Sequence, residues 1–201
     1  MLVGRVLNMR IAFAHTKGGV GKTTASIMLA AAVEKRGVPV VVYDADPQAS
    51  ASRWAEVAIA RDDPLGFEVK RVNAQFLRNL SSDSAGWHII DTPPGSAAEI
   101  QAAIDIADLV IVPTHPSPMD LDRVWPTLEA IEHRMVGVLL VGVHERRRLY
   151  RETRNLFEEQ GVATFYNTIP EREEIKTVFG TNPRQLYTFD DICSEILEIE
   201  E

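Results

Sequence analysis

The residues best placed to do chemistry are Lys17-Gly18-Gly19-Val20-Gly21-Lys22-Thr23-Thr24. Three glycines within residues 18–21 let a backbone close on an anion with no Cβ in the way. An apolar run, Ile11–Ala14, precedes the stretch, and a helix-favouring run from Ala25 to Lys35 follows it. Strand, glycine-rich turn and helix N-terminus are the parts of a phosphate-binding loop. The first amides of such a helix lack intrahelical partners and lie at the positive end of its dipole, so they suit a phosphate. In that arrangement Lys22 reaches the β- and γ-phosphates, and the Thr23 hydroxyl binds Mg²⁺.

A phosphate loop needs carboxylates before it can direct magnesium and an attacking water. Two apolar runs end in aspartate: Val40–Tyr43 delivers Asp44 and then Asp46-Pro47-Gln48, and Trp87–Ile90 delivers Asp91-Thr92-Pro93-Pro94-Gly95. Ligands of open α/β sheets bind beyond the carboxyl ends of the strands, which places all three aspartates beside the glycine loop. Asp63 and Asp83 sit instead in turn-rich surroundings and read as turn caps.

Alternating strands and helices must position these groups. Apolar runs at Ile11–Ala14, Val38–Tyr43, Phe67–Val72, Trp87–Ile90, Leu109–Val112 and Val136–Val143, with a weaker one at Val162–Tyr166, predict strands. Between and after them, helices are predicted at Thr24–Arg36, Ala49–Ala60, Ala74–Leu80, Ala97–Ala107, Leu121–Arg134, Tyr150–Gln160, Ile175–Phe179 and Phe189–Ile199. Gly37 after Lys35-Arg36 reads as a helix C-terminal cap, and residues 61–66 read as a surface connection. The pattern is that of an α/β protein: a single domain over residues 9–201, with a mostly parallel, doubly wound sheet flanked by helices. Residues 1–8 read as an N-terminal extension, because Met9-Arg10-Ile11 is itself a natural start for the first strand.

Composition narrows the class. The chain has 201 residues, enough to bury one core unaided, and no apolar run approaches the length of a membrane span. A net charge of -8 argues against a surface that is basic all over, but it leaves room for a local basic patch. The single cysteine, Cys193, excludes a disulfide framework within one chain and fits a reducing cytoplasm. The densest positive stretch runs from Glu145 to Arg154 and holds Arg146, Arg147, Arg148, Arg151 and Arg154. Arg147, Arg151 and Arg154 fall at helical spacing, so they suit either a phosphate backbone or an ordinary solvated face.

One departure from the general phosphate-loop pattern sharpens the reading: Thr16 stands where glycine is usual, and Lys17 follows it. The form K-G-G-x-G-K-T-T resembles the deviant Walker A motif of the ParA/MinD family of P-loop ATPases. Asp44-Ala45-Asp46-Pro47-Gln48 is similar to that family's second motif, and Ile90-Asp91-Thr92-Pro93-Pro94 to its Walker B segment. Residues 112–121, Val-Pro-Thr-His-Pro-Ser-Pro-Met-Asp-Leu, resemble its proline-bearing fifth-strand loop. The four motifs occur in order and the resemblance runs over essentially the whole chain.

The resemblance implies an ATPase with ATP and Mg²⁺ as cofactors. Asp46 would orient the attacking water, and Asp44 and Asp91 would hold magnesium along with Thr23. Lys17 would reach the nucleotide of a partner, so the ATP-bound form would be a homodimer. The whole loop, Lys17 to Thr24, would line the nucleotide. Pro170, in Thr168-Ile169-Pro170-Glu171-Arg172, would pack on adenine or simply end a strand. The absence of an N-K-x-D element after the late strands favours ATP over GTP. Family likeness further implies non-specific DNA binding through the arginine stretch, with Lys176 and Arg184 as additions, and nucleoid association in the ATP state. A ParB-like adaptor would stimulate hydrolysis, and the cargo would be a plasmid, a chromosome region or a protein assembly. No helix-turn-helix fits ahead of the first strand.

Two other classes share the scaffold. A membrane-cycling ATPase resembling MinD needs a basic amphipathic C-terminal helix, whereas residues 189–201 are amphipathic and acidic, with Ile192, Ile196 and Ile199 as the apolar stripe. A small-molecule kinase or ligase needs a substrate pocket that no motif here announces, and an iron–sulfur reductase needs more cysteines. His15 reads as a strand-end residue, and His88 and His115 lack metal-ligand spacing. Trp125-Pro126 predicts a kink or a late helix start.

Overall fold

The computed structural model describes residues 8–81, 85–95, 97–131 and 133–199. The expectations about residues 1–7, Asp83, Glu200 and Glu201 lie outside these. Seven strands alternate with helices: β1 (Asn8–Phe13), α1 (Lys22–Lys35), β2 (Val40–Asp44), α2 (Ser50–Ala60), β3 (Glu68–Arg71), α3 (Ala74–Arg78) and β4 (Gly86–Asp91). Then follow α4 (Ala97–Ile106), β5 (Leu109–Thr114), α5 (Pro118–Ala130), β6 (Val136–Val143), α6 (Arg148–Glu159), β7 (Ile169–Pro170), α7 (Glu173–Thr177) and α8 (Phe189–Ile199). The strands form one sheet in the order β3-β2-β4-β1-β5-β6-β7. Every pairing is parallel. Winding reverses at β1, which lies between β4 and β5, so the loop leaving β1 opens into the crevice where doubly wound sheets bind ligands.

The continuous apolar runs are explained by burial on both faces. Ile11, Phe13, Val42, Ile89 and Leu139 meet one layer of helices, built mainly from α1, α2, α7 and α8. Ala12, Ile90, Val110, Val112 and Leu140 meet the other, built from α3 to α6. Helix α1 is apolar nearly all round, with Ile27 to Ala30 fully buried, because α8 and α2 cover the side that the sheet does not. Gly37 ends it as expected, at φ 74° with its amide donating to the Glu34 carbonyl at 2.8 Å.

Several boundaries differ from the sequence expectation. Strand β1 begins at Asn8, which pairs with Gly86 and accepts from its amide at 3.0 Å. Residues 162–166 do not form a strand; they give one bridge, Val138 to Thr164. The Glu195 carboxylate takes the amides of Tyr166 and Asn167 instead, so the seventh strand is Ile169–Pro170. Helix α5 starts at Pro118 and not late, because Ser117 caps it, and the helix runs through Pro126. Helix α8 packs on α1 with Ile192 and Ile196 buried, while Ile199 remains 45% exposed. That packing uses the apolar face which membrane attachment would require. Among the described residues no helix is long and apolar enough to cross a membrane.

Candidate nucleotide and magnesium site

The loop between β1 and α1 is built to expose amides. Gly19 and Gly21 hold φ values of 78° and 81°, a region costly for residues with a Cβ, and a Cβ at either would meet nothing within 4 Å. No side chain caps α1 and no acid sits in its first turn, so its first amides are left for an anion. Lys22 is buried and folds back over the loop, donating to the carbonyls of His15 at 3.1 Å and Lys17 at 3.0 Å. Burial pulls its pKa below the usual lysine value, with Asp91 and Asp46 opposing. The Lys17 amide donates to His15 Nδ1 at 3.0 Å, which fixes the turn ahead of the glycines. His15 is thus a buried strand-end residue that shapes the loop.

The carboxylates arrive as the sequence implies, with different duties. Thr23 Oγ1 donates to Asp91 Oδ2 at 2.7 Å. The other Asp91 oxygen is buried with no hydrogen-bond partner, and burial, with Asp44 nearby, pushes the carboxyl up to about 7. An ionised carboxylate there calls for a cation, and Thr23 and Asp91 fit a magnesium ion held through water and phosphate oxygens.

Asp44, expected from the sequence to help hold magnesium, is also engaged within the fold. Its Oδ2 accepts from the Ser52 amide and hydroxyl, both at 2.7 Å, and its Oδ1 from the Asp46 amide at 3.2 Å. With both oxygens engaged, Asp44 ties the start of α2 to the turn that carries Asp46. Asp46 is half-buried and lines a cavity of about 470 Å³ together with Gly18, Lys22, Thr23 and Thr92. The water-activating group expected from sequence therefore faces the phosphate loop.

A second cavity, about 430 Å³, continues from Val20, Gly21 and Thr24 to Ile169, Pro170 and Glu171. Pro170 ends β7 and lines this pocket, which adjoins the loop. The sequence reading missed His115, which lines this pocket and donates from Nδ1 to the Val141 carbonyl at 3.0 Å. Its place in the proline-bearing stretch 112–121, after the fifth strand, is the signal that could have found it. Lys17 ion-pairs with Asp120 of α5, a partner equally unforeseen.

The candidate DNA residues separate into groups. Arg146, Arg147, Arg148 and Arg151 are exposed around the start of α6. Arg154 is half-buried, and its guanidinium donates to the Phe165 carbonyl. Arg184 is tied to Asp63 at 2.7 Å, and Lys176 lies on α7 at the edge of both cavities.

Residues 11–182 match the CobQ/CobB/MinD/ParA nucleotide binding domain. A relative from Gloeobacter kilaueensis, maintenance of carboxysome distribution protein A, is 36% identical over 169 residues, covering 77% of this chain and 73% of its own. The fold matches the ATP complex of a McdA variant from Cyanothece with a TM-score of 0.74 at 19% identity, over 96% of this chain and 98% of that one. It also matches cobyrinic acid a,c-diamide synthase from Mycobacterium smegmatis with bound ADP and magnesium, with a TM-score of 0.72 at 18% identity, over 94% and 93% of the two chains. The matched span holds the glycine loop, the Asp46 turn, Thr23 with Asp91, and the pocket at Pro170, and the chain belongs to the CobQ/CobB/MinD/ParA nucleotide-binding family.

Proposed function

We propose that the protein is an ATP-dependent positioning ATPase that uses Mg²⁺, dimerises with ATP bound, and moves a cargo over DNA with the help of an adaptor protein. The observation that carries the reading is Asp46 lining one cavity with Lys22 and Thr23, beneath an uncapped helix N-terminus. Phosphoryl transfer needs mostly positioning and neutralisation of charge, and these residues supply both for a water attacking the terminal phosphate. Lys22 and the loop amides hold the phosphates, Thr23 and Asp91 hold magnesium, and Asp46 orients the water. Lys17 adds charge from a second copy, as an arginine finger does.

Likeness to proteins named for carboxysome distribution and to a ParA protein from Rhizobium radiobacter supports positioning as the purpose. The former favours a protein assembly as cargo. Arg146, Arg147, Arg148 and Arg151 offer a basic patch on an otherwise acidic chain, so the ATP form associates with the nucleoid through the phosphate backbone. The test is mass by light scattering and gel retardation on arbitrary duplex DNA, each with ATP and with ADP. The reading predicts a dimer that retards DNA with ATP and a monomer that does not with ADP. A monomer in both states, or nucleotide-independent retardation, would refute it.

A further inference from the structure

Glu171 is held by basic side chains from three directions. Its amide donates to the Val143 carbonyl at 3.0 Å, which fixes its backbone at the carboxyl end of the sheet. One carboxylate oxygen lies 2.7 Å from His144 Nε2 and 3.9 Å from a guanidinium nitrogen of Arg147, and the other accepts from Lys176 Nζ at 3.1 Å. The hydrogen bonds from Lys176 and His144 hold the carboxyl below the usual glutamate range.

The two cations among them, Arg147 and Lys176, are ones a polyanion would seek. Arg147 caps α6 between Arg146 and Arg148, the first residue of the helix, all exposed, while Lys176 borders both cavities. A carboxylate and a phosphodiester both present two charged oxygens to such donors, so the two compete for one place. We propose that Glu171 is a built-in counter-anion occupying the docking point of a backbone phosphate of duplex DNA, and that DNA must displace it to engage Arg147 and Lys176. The inference rests on the reading of this protein as a DNA-binding ATPase. It adds a residue that sets how strongly the patch binds, and one that lines the nucleotide pocket as well.

Binding of wild type, Glu171→Gln and Glu171→Asp to a fluorescent duplex, followed by anisotropy with ATP at several salt concentrations, tests the proposal. Each cation freed to neutralise a phosphate adds about 0.9 to the steepness of log affinity against log salt, so Glu171→Gln should steepen it by about 1–2 and bind about tenfold tighter at low salt. Glu171→Asp keeps the charge and should stay near wild type. Glu198→Gln, the same charge change on α8, should leave the slope where it was. Circular dichroism melts establish that each variant is folded. A wild type that binds DNA, with a Glu171→Gln variant of identical affinity and slope, would overturn the counter-anion and leave the functional reading standing. No DNA binding by wild type or Glu171→Gln in any nucleotide state would overturn both.

Discussion

Lys17 and Asp120 are ion-paired, joining the phosphate loop to the first turn of α5. The Lys17 side chain is 32% exposed and that of Asp120 only 7%, so the lysine is drawn down onto a carboxylate that the fold has largely enclosed. Burial would raise the Asp120 carboxyl, but hydrogen bonds from Lys17 and Ser117 outweigh it and hold the group below its usual range. To serve a partner's nucleotide, Lys17 must first leave this contact. Asp120→Asn keeps the shape of the capping turn and removes the charge. A pair of this exposure contributes roughly 1 kcal/mol, so the ATP concentration at half-dimerisation should fall about fivefold. Light scattering across an ATP titration measures it, and an unshifted midpoint would show that the pair does not restrain dimerisation.

Asp46 and Lys17 should separate binding from hydrolysis. Asp46→Ala removes the proposed water-orienting group but none of the loop, so it should bind ATP and dimerise while hydrolysis drops about 100-fold or more. Lys17→Ala should lose both dimerisation and hydrolysis. Phosphate release and mass measured on the same samples distinguish them; an Asp46→Ala variant turning over at the wild-type rate would remove Asp46 from the mechanism.

Gly142 lines the pocket at Pro170 with φ 63°, where a Cβ would come within 2.7 Å of His115 Nδ1. Gly142→Ala should therefore strain the backbone and push His115 off the Val141 carbonyl, at a cost of about 1–3 kcal/mol. Urea unfolding should record the loss, and ATP affinity should fall with it because His115 lines the pocket. Gly19→Ala makes a useful contrast in the nucleotide-free protein: its Cβ would meet no protein atom, so unfolding should register the φ penalty alone.

What the sequence made legible follows from range. The glycine loop and the aspartates closing β2 and β4 are local patterns, and the parallel sheet gathers them at one edge without further instruction. Asp44 shows the limit: its type and place suit a metal, and no local pattern announces that Ser52, eight residues on, donates to its oxygen from the start of α2. Contacts such as Lys17 with Asp120 or His144 with Glu171 join elements far apart in the chain, and no periodicity encodes them. The misread strand at residues 162–166 has the same cause, because Glu195 on α8 outcompetes the sheet for two amides.

His15 supplies a pH signature. Burial and the nearby Lys22 lower its pKa from 6.5 to about 4, so the native state holds it neutral while the unfolded chain protonates it. A depressed pKa gives stability that is complete above pH 6.5 and drains away as pH falls toward 4. At pH 5 the loss amounts to about 2 kcal/mol. His15→Asn retains an acceptor for the Lys17 amide and cannot titrate in this range. Urea midpoints at pH 7.5 and pH 5 should differ less for the variant than for wild type, and equal losses would place the acid sensitivity elsewhere.

Asp91 gives the sharpest test of the metal assignment, because its cost and its use have opposite signs. Without a cation its ionised carboxyl is buried with one oxygen unpaired, and its raised pKa means stability contributed below pH 4 is lost as pH climbs to about 7. Asp91→Asn removes that burden while still accepting from Thr23, so the nucleotide-free variant at pH 8 should be more stable than wild type by about 1–3 kcal/mol. With ATP the order should reverse. Wild type should gain melting temperature when Mg²⁺ is added and lose it again with EDTA, whereas the variant should respond weakly to both. A stabilised variant that keeps the full magnesium response would show that Asp91 is a buried structural acid, leaving Thr23 and the phosphates to hold the ion.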